Sequence, residues 1–548
     1  MTSVNSFFKL MREDIKHRLW VLILASVVFF FAFPIVTALV CENFSGDVAR
    51  YFEYGNSAAI MKEKIINFYE GLGIILLIIA YVGACICGTS SFVYLQSKSQ
   101  VDFYHSLPVR RERLFAVHYV DGVIFYILPY TLGMILSFVI SSLHIGFYGP
   151  LVKLMLTSWL VGLMSFLAVY TVVSIAVVLT GKKLISNLGT LVFFFYADFI
   201  FGLISLYKHE FFSTYSGMGS FDEYSASTKW FSPLSYVLCL GKATYSDNEY
   251  ERIALGTSFG QFIPYIIILV AIAFVLYKFR RSEKTGTAMV YKISEPIIRI
   301  GLTIPFALMF GIVFMTISEV ADDFWLFFGM AIGTVIVHGA IEAFFTGDVR
   351  KCLGHKIQLL IEYVAAVLIA LIFIFDVFGY DTYFPKEKNV STISVDYDNF
   401  NVTSYPYYTS TYMGYNYLSD SLMYTEGTDQ FKLIYNMAEA ASKYNKKDDT
   451  DKAKSIFYNN GEECTLLSDY NGGTLTVDFY TKRGDRVWRS YKINEDENMQ
   501  PYIAAIYDDV VLKKKFFEVF NIEKSNSEVK FRGLTILNFI GEENKDVY

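Results

Sequence analysis

The chain has 548 residues, of which 54% are hydrophobic and 18% charged, with a mean hydropathy of +0.37; it is too apolar for an ordinary soluble protein and reads as a polytopic membrane protein. The net charge of -6 hides an asymmetry, because from Tyr380 onward 20 Lys and Arg face 27 Asp and Glu, and before it 27 face 26. A nearly neutral membrane body and an acidic tail follow, and no part is basic enough to suggest nucleic acid as a partner.

In chain order, Met1 to Trp20 is polar and amphipathic, and the run after it is long enough to stay in a bilayer, so a cleaved signal is not expected. About 20 mostly apolar residues cross a membrane. Nine stretches qualify, at roughly 19–41, 68–95, 116–143, 154–180, 184–206, 260–279, 297–318, 324–345 and 357–379. With the N-terminus inside, the inner segments hold 19 Lys and Arg and the outer loops before the tail hold eight. By the positive-inside rule the N-terminus is cytoplasmic, and nine spans place the tail outside.

Between the second and third spans lies Ser97 to Phe115, short, basic and interrupted by Pro108. Proline lacks an amide proton and biases Leu107 away from helical geometry, so the stretch predicts a short helix, a kink and a second helix running into the third span. The outer loop from Tyr207 to Phe259 contains an apolar patch, Trp230 to Leu240, too short to cross; it is expected to lie along the outer interface or to dip in and return.

Charged groups inside apolar runs cost several kcal/mol unless paired, which singles out Asp198 in the fifth span, His338 and Glu342 in the eighth and Glu362 in the ninth. His338 and Glu342 are four apart on one helical face. A polar clamp between the eighth and ninth spans is expected, with Arg350 and Lys351 reaching Glu342; a proton or substrate relay is the alternative. Asp121 and Asp376, near span ends, are expected to need no special role.

The tail reads as a small α+β domain. Thr474 to Tyr480 alternates, with Leu475, Val477 and Phe479 on one side, Lys482 to Asp485 turns, and Val487 to Ile493 returns. Phe431, Ile434, Tyr435 and Ala438 share a helical face, and Pro501 opens a helix expected to reach about Phe520. The tyrosine-dense stretch Tyr405 to Tyr417 is expected to supply aromatic packing rather than a ligand surface. Of six cysteines only Cys464 lies in the tail, so no disulfide staples it, and Cys85 and Cys87 point to different sides of one helix, as small buried residues do.

No Gly-rich loop ends in Lys followed by Ser or Thr, no histidines stand at zinc spacing, and no Ser/His/Asp arrangement stands out in the tail. The chain is therefore not expected to be an enzyme, to hold a metal or to bind a cofactor. The run from Asp102 through Tyr104, His105, Ser106, Leu107, Pro108, Arg110, Arg111 and Arg113 to Phe115 resembles the inner loop between the second and third spans of type-2 ABC exporter permeases from bacteria. Lys278 to Gly286, with Arg280, Arg281, Glu283 and Gly286, is similar to the ending that closes the family's six-helix core, and Phe231-Ser232-Pro233-Leu234 resembles the segment before its last span, where the family has short re-entrant helices.

The resemblance covers about residues 1 to 300. It implies a six-span permease core at 1–295, three additional spans at 296–379 and an extracytoplasmic α+β domain at 380–548, as in a Gram-positive subgroup whose C-terminal domain has no assigned function. It further implies that the loop from Tyr104 to Arg113 couples to a separate ABC ATPase subunit that binds ATP and Mg, that Arg280, Arg281, Glu283 and Gly286 form a second cytoplasmic contact, and that a second permease chain completes a pathway in the lipid of the bacterial cell membrane. The cargo implied is amphiphilic: a peptide antibiotic, a lipid-linked molecule or a wall component. Two rivals stand beside this reading, a membrane sensor with an extracytoplasmic ligand-binding domain and an ion-coupled secondary transporter using Asp198, His338, Glu342 or Glu362.

Overall fold

The computed structural model describes residues 3–50, 57–216, 228, 230–245, 249–318, 323–397, 423–444, 472–483, 486–494 and 499–509. The tyrosine-dense stretch at 405–417 and Cys464 lie outside them; the helix opened by Pro501, expected to reach about Phe520, ends at Asp508, where Asp509 is extended, and residues from 510 lie outside the described set. The chain divides into two compact units, Met1–Tyr207 with Gly219–Leu371, and Lys208–Met218 with Ile372–Tyr548.

The first unit is helical. Helix α1 (Ser3–His17) leads into α2 (Leu19–Phe30), which passes through a widened turn at Phe31–Ile35 into α3 (Val36–Arg50). Pro34 sits in that turn, where its missing amide proton is accommodated by the looser winding. Then follow α4 (Ser57–Gly71), α5 (Gly73–Phe92) with a 3-10 turn at Val93–Gln96, α6 (Lys98–Ser106), α7 (Arg111–Ile145), α8 (Gly149–Leu179) and α9 (Lys183–Phe211). The series closes with α10 (Pro233–Tyr245), α11 (Glu249–Phe279), α12 (Ser294–Ile317), α13 (Asp323–Thr346) and α14 (Lys356–Ile374). Among the described residues nine segments are long and apolar enough to cross a membrane, and they fall on the nine predicted stretches.

Helix α8 is the post around which the others stand: 89% of its apolar window is buried, against 17–47% for the other eight spans. Its sequence is apolar all round, as a helix enclosed by others requires. Helices α5, α7, α10 and α11 pack on it. The buried tyrosines hydrogen-bond within the packing: Tyr130 to Ser158 O at 3.0 Å and Tyr170 to Ser91 Oγ at 3.0 Å. In lipid such hydrogen bonds and close packing, rather than the hydrophobic effect, hold helices together. Helices α12 and α13 form the tightest pair of the fold, and α9 is tied to α12 by Tyr196 on Gly301 O at 2.7 Å and Tyr207 on Leu308 O at 3.0 Å.

The second unit is α+β. Strands β1 (Val390–Tyr397), β2 (Met423–Thr425), β3 (Gly472–Thr481) and β4 (Arg486–Asn494) form an antiparallel sheet in the order β2-β1-β3-β4. Leu475, Val477 and Phe479 lie on its buried face with Ile393 and Val395, against α15 (Asp429–Tyr444), whose Phe431, Ile434 and Ala438 are buried as the spacing predicts. The short α16 (Gln500–Asp508) packs beside α15. The Lys208–Met218 segment belongs to this unit: Asp381 accepts four hydrogen bonds from the amides and hydroxyls of Ser213 and Thr214, and Ser490 N donates to Thr214 O at 3.0 Å.

Candidate functional site

The Ser97 to Phe115 stretch folds as its proline dictates. Helix α6 stops at Ser106, Leu107 turns extended (φ -67°, ψ 140°), and Arg110 is extended again before α7 starts. The resulting elbow is braced from behind. Tyr104 packs on the rings of Tyr94 (4.5 Å between centroids) and His118 (5.3 Å), and the Tyr94 and Tyr277 hydroxyls lie 2.5 Å apart.

The exit of α11 supplies the second brace. Arg111 donates to Arg280 O at 2.7 Å and to Ser282 Oγ at 3.2 Å, and Ser282 Oγ lies 2.7 Å from His105 Nδ1. Burial, and then the Arg111 and Arg280 charges, push the His105 pKa down. The imidazole is therefore neutral, and the Ser282 hydroxyl, accepting from Arg111, donates to its Nδ1. Lys278 pairs with Glu112 at 3.2 Å across the same seam.

A third loop closes the base. Thr180 pairs antiparallel with Met289, Val290 N donates to Leu179 O at 3.0 Å, and Gly286 N donates to Gly181 O at 3.0 Å. Glycine is required at both ends of that last bond: a Cβ on Gly181 would collide with the Thr287 carbonyl, and Gly286 has φ +88°. Under this crossing lies the Arg280 guanidinium, donating to Leu95 O at 2.8 Å, to Thr180 O at 3.0 Å and to Val178 O.

Compared with known proteins, the chain matches no family model, no curated protein and no solved structure.

The geometry sorts the predicted loop residues into two sets. Ser106, Pro108, Arg110 and Arg113 face outward; Tyr104, His105, Leu107 and Arg111 are half-buried and hold the elbow in place. Of the second stretch, Arg281, Glu283 and Gly286 are exposed, but Arg280 is 3% exposed and its donors are committed to backbone carbonyls, so the expectation that it contacts a partner is corrected. Phe103, 61% exposed on α6, is the apolar feature that the sequence reading passed over.

The intramembrane candidates find partners. Asp198 accepts from Ser232 Oγ at 2.5 Å and from Ser235 Oγ, with both serines at the start of α10. A carboxylate at a helix N-terminus meets the positive end of the helix dipole; the apolar patch at Trp230 to Leu240 becomes helical from Pro233, with Tyr236 and Val237 buried and Trp230 and Phe231 exposed. His338 and Glu362 pair at 2.7 Å, both at 0% exposure, while His338 Nε2 lies 3.0 Å from Gly354 O. Glu342 is held by Arg299 of α12 at 2.6 Å and by His355 at 3.1 Å. The clamp therefore joins three helices, α12, α13 and α14, and its cation is Arg299; Arg350 and Lys351 are exposed.

Asp121 corrects another expectation. It is fully buried ten residues into α7, near Asp14, Arg18 and His118, none of which the sequence reading singled out. The available signal was the i,i+4 spacing of Asp14, on the amphipathic α1, and Arg18, in the turn that follows it.

Proposed function

We propose that this chain is the permease subunit of a bacterial type-2 ABC transporter: a membrane-embedded body, N-terminus inside and tail outside, that works with a separate ABC ATPase and a second permease chain to move an amphiphilic substrate. The observation that carries the reading is the braced elbow. The loop whose residues resemble the family's coupling segment is a short helix and kink fastened to the roots of α7, α8 and α11, with Phe103, Pro108, Arg110 and Arg113 presented outward. A loop so fastened passes a push to three spans instead of bending on its own. The packed α10, with its Ser-Pro start held by Asp198, supports the family's re-entrant segment at the corresponding place.

Arg110 and Arg113 supply electrostatic docking and Phe103 with Pro108 supplies shape, whereas Arg111 works from inside. Closure of the ATPase pair around ATP then changes which side the pathway faces by shifting a two-state equilibrium of the helix body. The test is co-purification with a co-expressed ABC ATPase, for which an ATPase encoded beside this chain would be the candidate. Arg110→Glu with Arg113→Glu should abolish capture and leave the thermal midpoint unchanged, because neither side chain supports the fold. Undiminished capture overturns the coupling assignment.

A further inference from the structure

The unassigned cluster around Asp121 holds more charge than its partners neutralise. Asp14 and Asp121 are 6% and 0% exposed, and the Asp14 carboxylate lies against Asp121. The Arg18 guanidinium is bonded to Asp14 and stands 3.9 Å from Asp121, donating also to Ser91 Oγ at 2.9 Å. His118 Nδ1 is 3.2 Å from Asp14 Oδ1. Facing the cluster from the surrounding elements are Cys87 and Ser91 of α5, Tyr94 of the 3-10 turn, Tyr104 of α6, Tyr119 of α7 and Tyr170 of α8. None of these is a second cation.

With His118 neutral, two carboxylates and one guanidinium leave one negative charge in a site closed to water, where an unpaired ion costs several kcal/mol. The hydrogen bonds point to the same deficit, since neither oxygen of Asp121 has a donor. We propose that this cluster is a proton-binding site: one proton, carried by Asp121 and donated toward Asp14, completes it and latches α1 to α7 beneath the elbow. Burial pushes the Asp14 carboxyl up, but the adjacent His118 and the bonded Arg18 guanidinium hold it below the usual carboxylate range, which makes Asp14 the anion and Asp121 the acid. His118 Nδ1 lies 3.2 Å from Asp14 Oδ1, and its ring packs tilted against Tyr94 (4.7 Å) and edge-on to Tyr104 (5.3 Å), so the latch and the elbow share a wall.

The sign follows from linkage. The folded state holds a proton that an exposed aspartate in the unfolded chain releases in acid, so the latch strengthens the fold at low pH and is lost as pH rises through the value at which the folded site lets go. The test uses the full chain in detergent, with two readouts. In infrared spectra at neutral pH the wild type should show the C=O band of a buried carboxylic acid; Asp121→Asn should remove it, and Asp121→Glu should retain it at a shifted frequency. In thermal melts the wild-type midpoint should fall as pH is raised from neutral, and Asp121→Asn should flatten that fall. A band unchanged in Asp121→Asn overturns the proposal. So does a pH dependence that survives in Asp121→Asn and vanishes in His118→Gln, which puts the proton on the imidazole. Because the infrared readout needs no variant to be more stable than wild type, an Asp121→Asn chain that fails to fold leaves the Asp121→Glu shift to decide.

Discussion

Replacing Arg280 by alanine tests whether one guanidinium holds three loops together. The side chain is 3% exposed and donates to the carbonyls of Leu95, Val178 and Thr180. Val178 lies in the last turn of α8, where the final carbonyls have no partner within the helix, so the cation also meets the negative end of that helix. Burial pulls the Arg280 pKa down to about 10, which leaves it charged at neutral pH. A hydrogen bond from a charged donor contributes about 1.5–3 kcal/mol. Three on one side chain are coupled rather than additive, so the expected loss in Arg280→Ala is about 3–5 kcal/mol. Arg280→Lys keeps the charge but loses the planar fork, and the expected loss falls to about 1–3 kcal/mol. Unfolding by SDS titration in mixed micelles measures both. An alanine variant within about 0.5 kcal/mol of the parent, the range of ordinary surface substitutions, refutes the reasoning.

Three further outcomes follow from the same geometry. Asp198→Ala leaves the Ser232 and Ser235 hydroxyls without their acceptor at the start of α10 and should cost about 1–2 kcal/mol in the same assay, with Asp198→Asn costing less. Arg299→Ala leaves Glu342 as an underpaired buried charge and should cost about 3–5 kcal/mol, whereas Arg350→Ala and Lys351→Ala should lie within about 0.5 kcal/mol of the parent. In the tail, burial raises Asp478 from 3.8 to about 6 although Arg486 Nε lies 2.6 Å from it. Its contribution is therefore full below about 4 and is lost as pH rises to about 6, at most about 3 kcal/mol of tail stability. Thermal melts across that window should show the fall in the parent and a flatter profile in Asp478→Asn.

How much of this was legible in the sequence depends on the range of the interaction. Local covalent rules were: Pro108 broke the loop where it had to, apolar length placed all nine spans, and two-residue alternation put Leu475, Val477 and Phe479 in the tail core. Partners distant along the chain were not. Glu342 was assigned to Arg350 and Lys351 because they are near in sequence, but the fold brings Arg299 to it from 43 positions away. Asp121 looked like a span-end residue until α7 proved to begin at Arg111, and His118 stood among aromatics with nothing nearby to mark Asp14 as its partner. Strand β1 went unread because the adjacent polar residues Ser391 and Thr392 interrupt the alternation, and its partners on β3 are 78 to 91 positions away.

Outside the Asp121 cluster, the buried charges named above follow one rule, and the rule bears on the proposed coupling. Arg280 sits on a helix C-terminus, Asp198, less deeply buried, on a helix N-terminus, and Arg299 with Glu342 and His338 with Glu362 satisfy each other. Each of these joins at least two elements, so the polar groups that the fold encloses act as bolts between helices instead of lining an open path. Among what the elbow leaves for a partner are two arginines, a phenylalanine and a proline, on a base where α7, α8 and α11 are bolted by Arg280 and Arg111. Close-packed interiors have low compressibility and transmit displacement. A force at Pro108 is therefore shared by the roots of the three helices, and of these α8 is the most deeply buried span, packed by α4, α5, α7, α10 and α11.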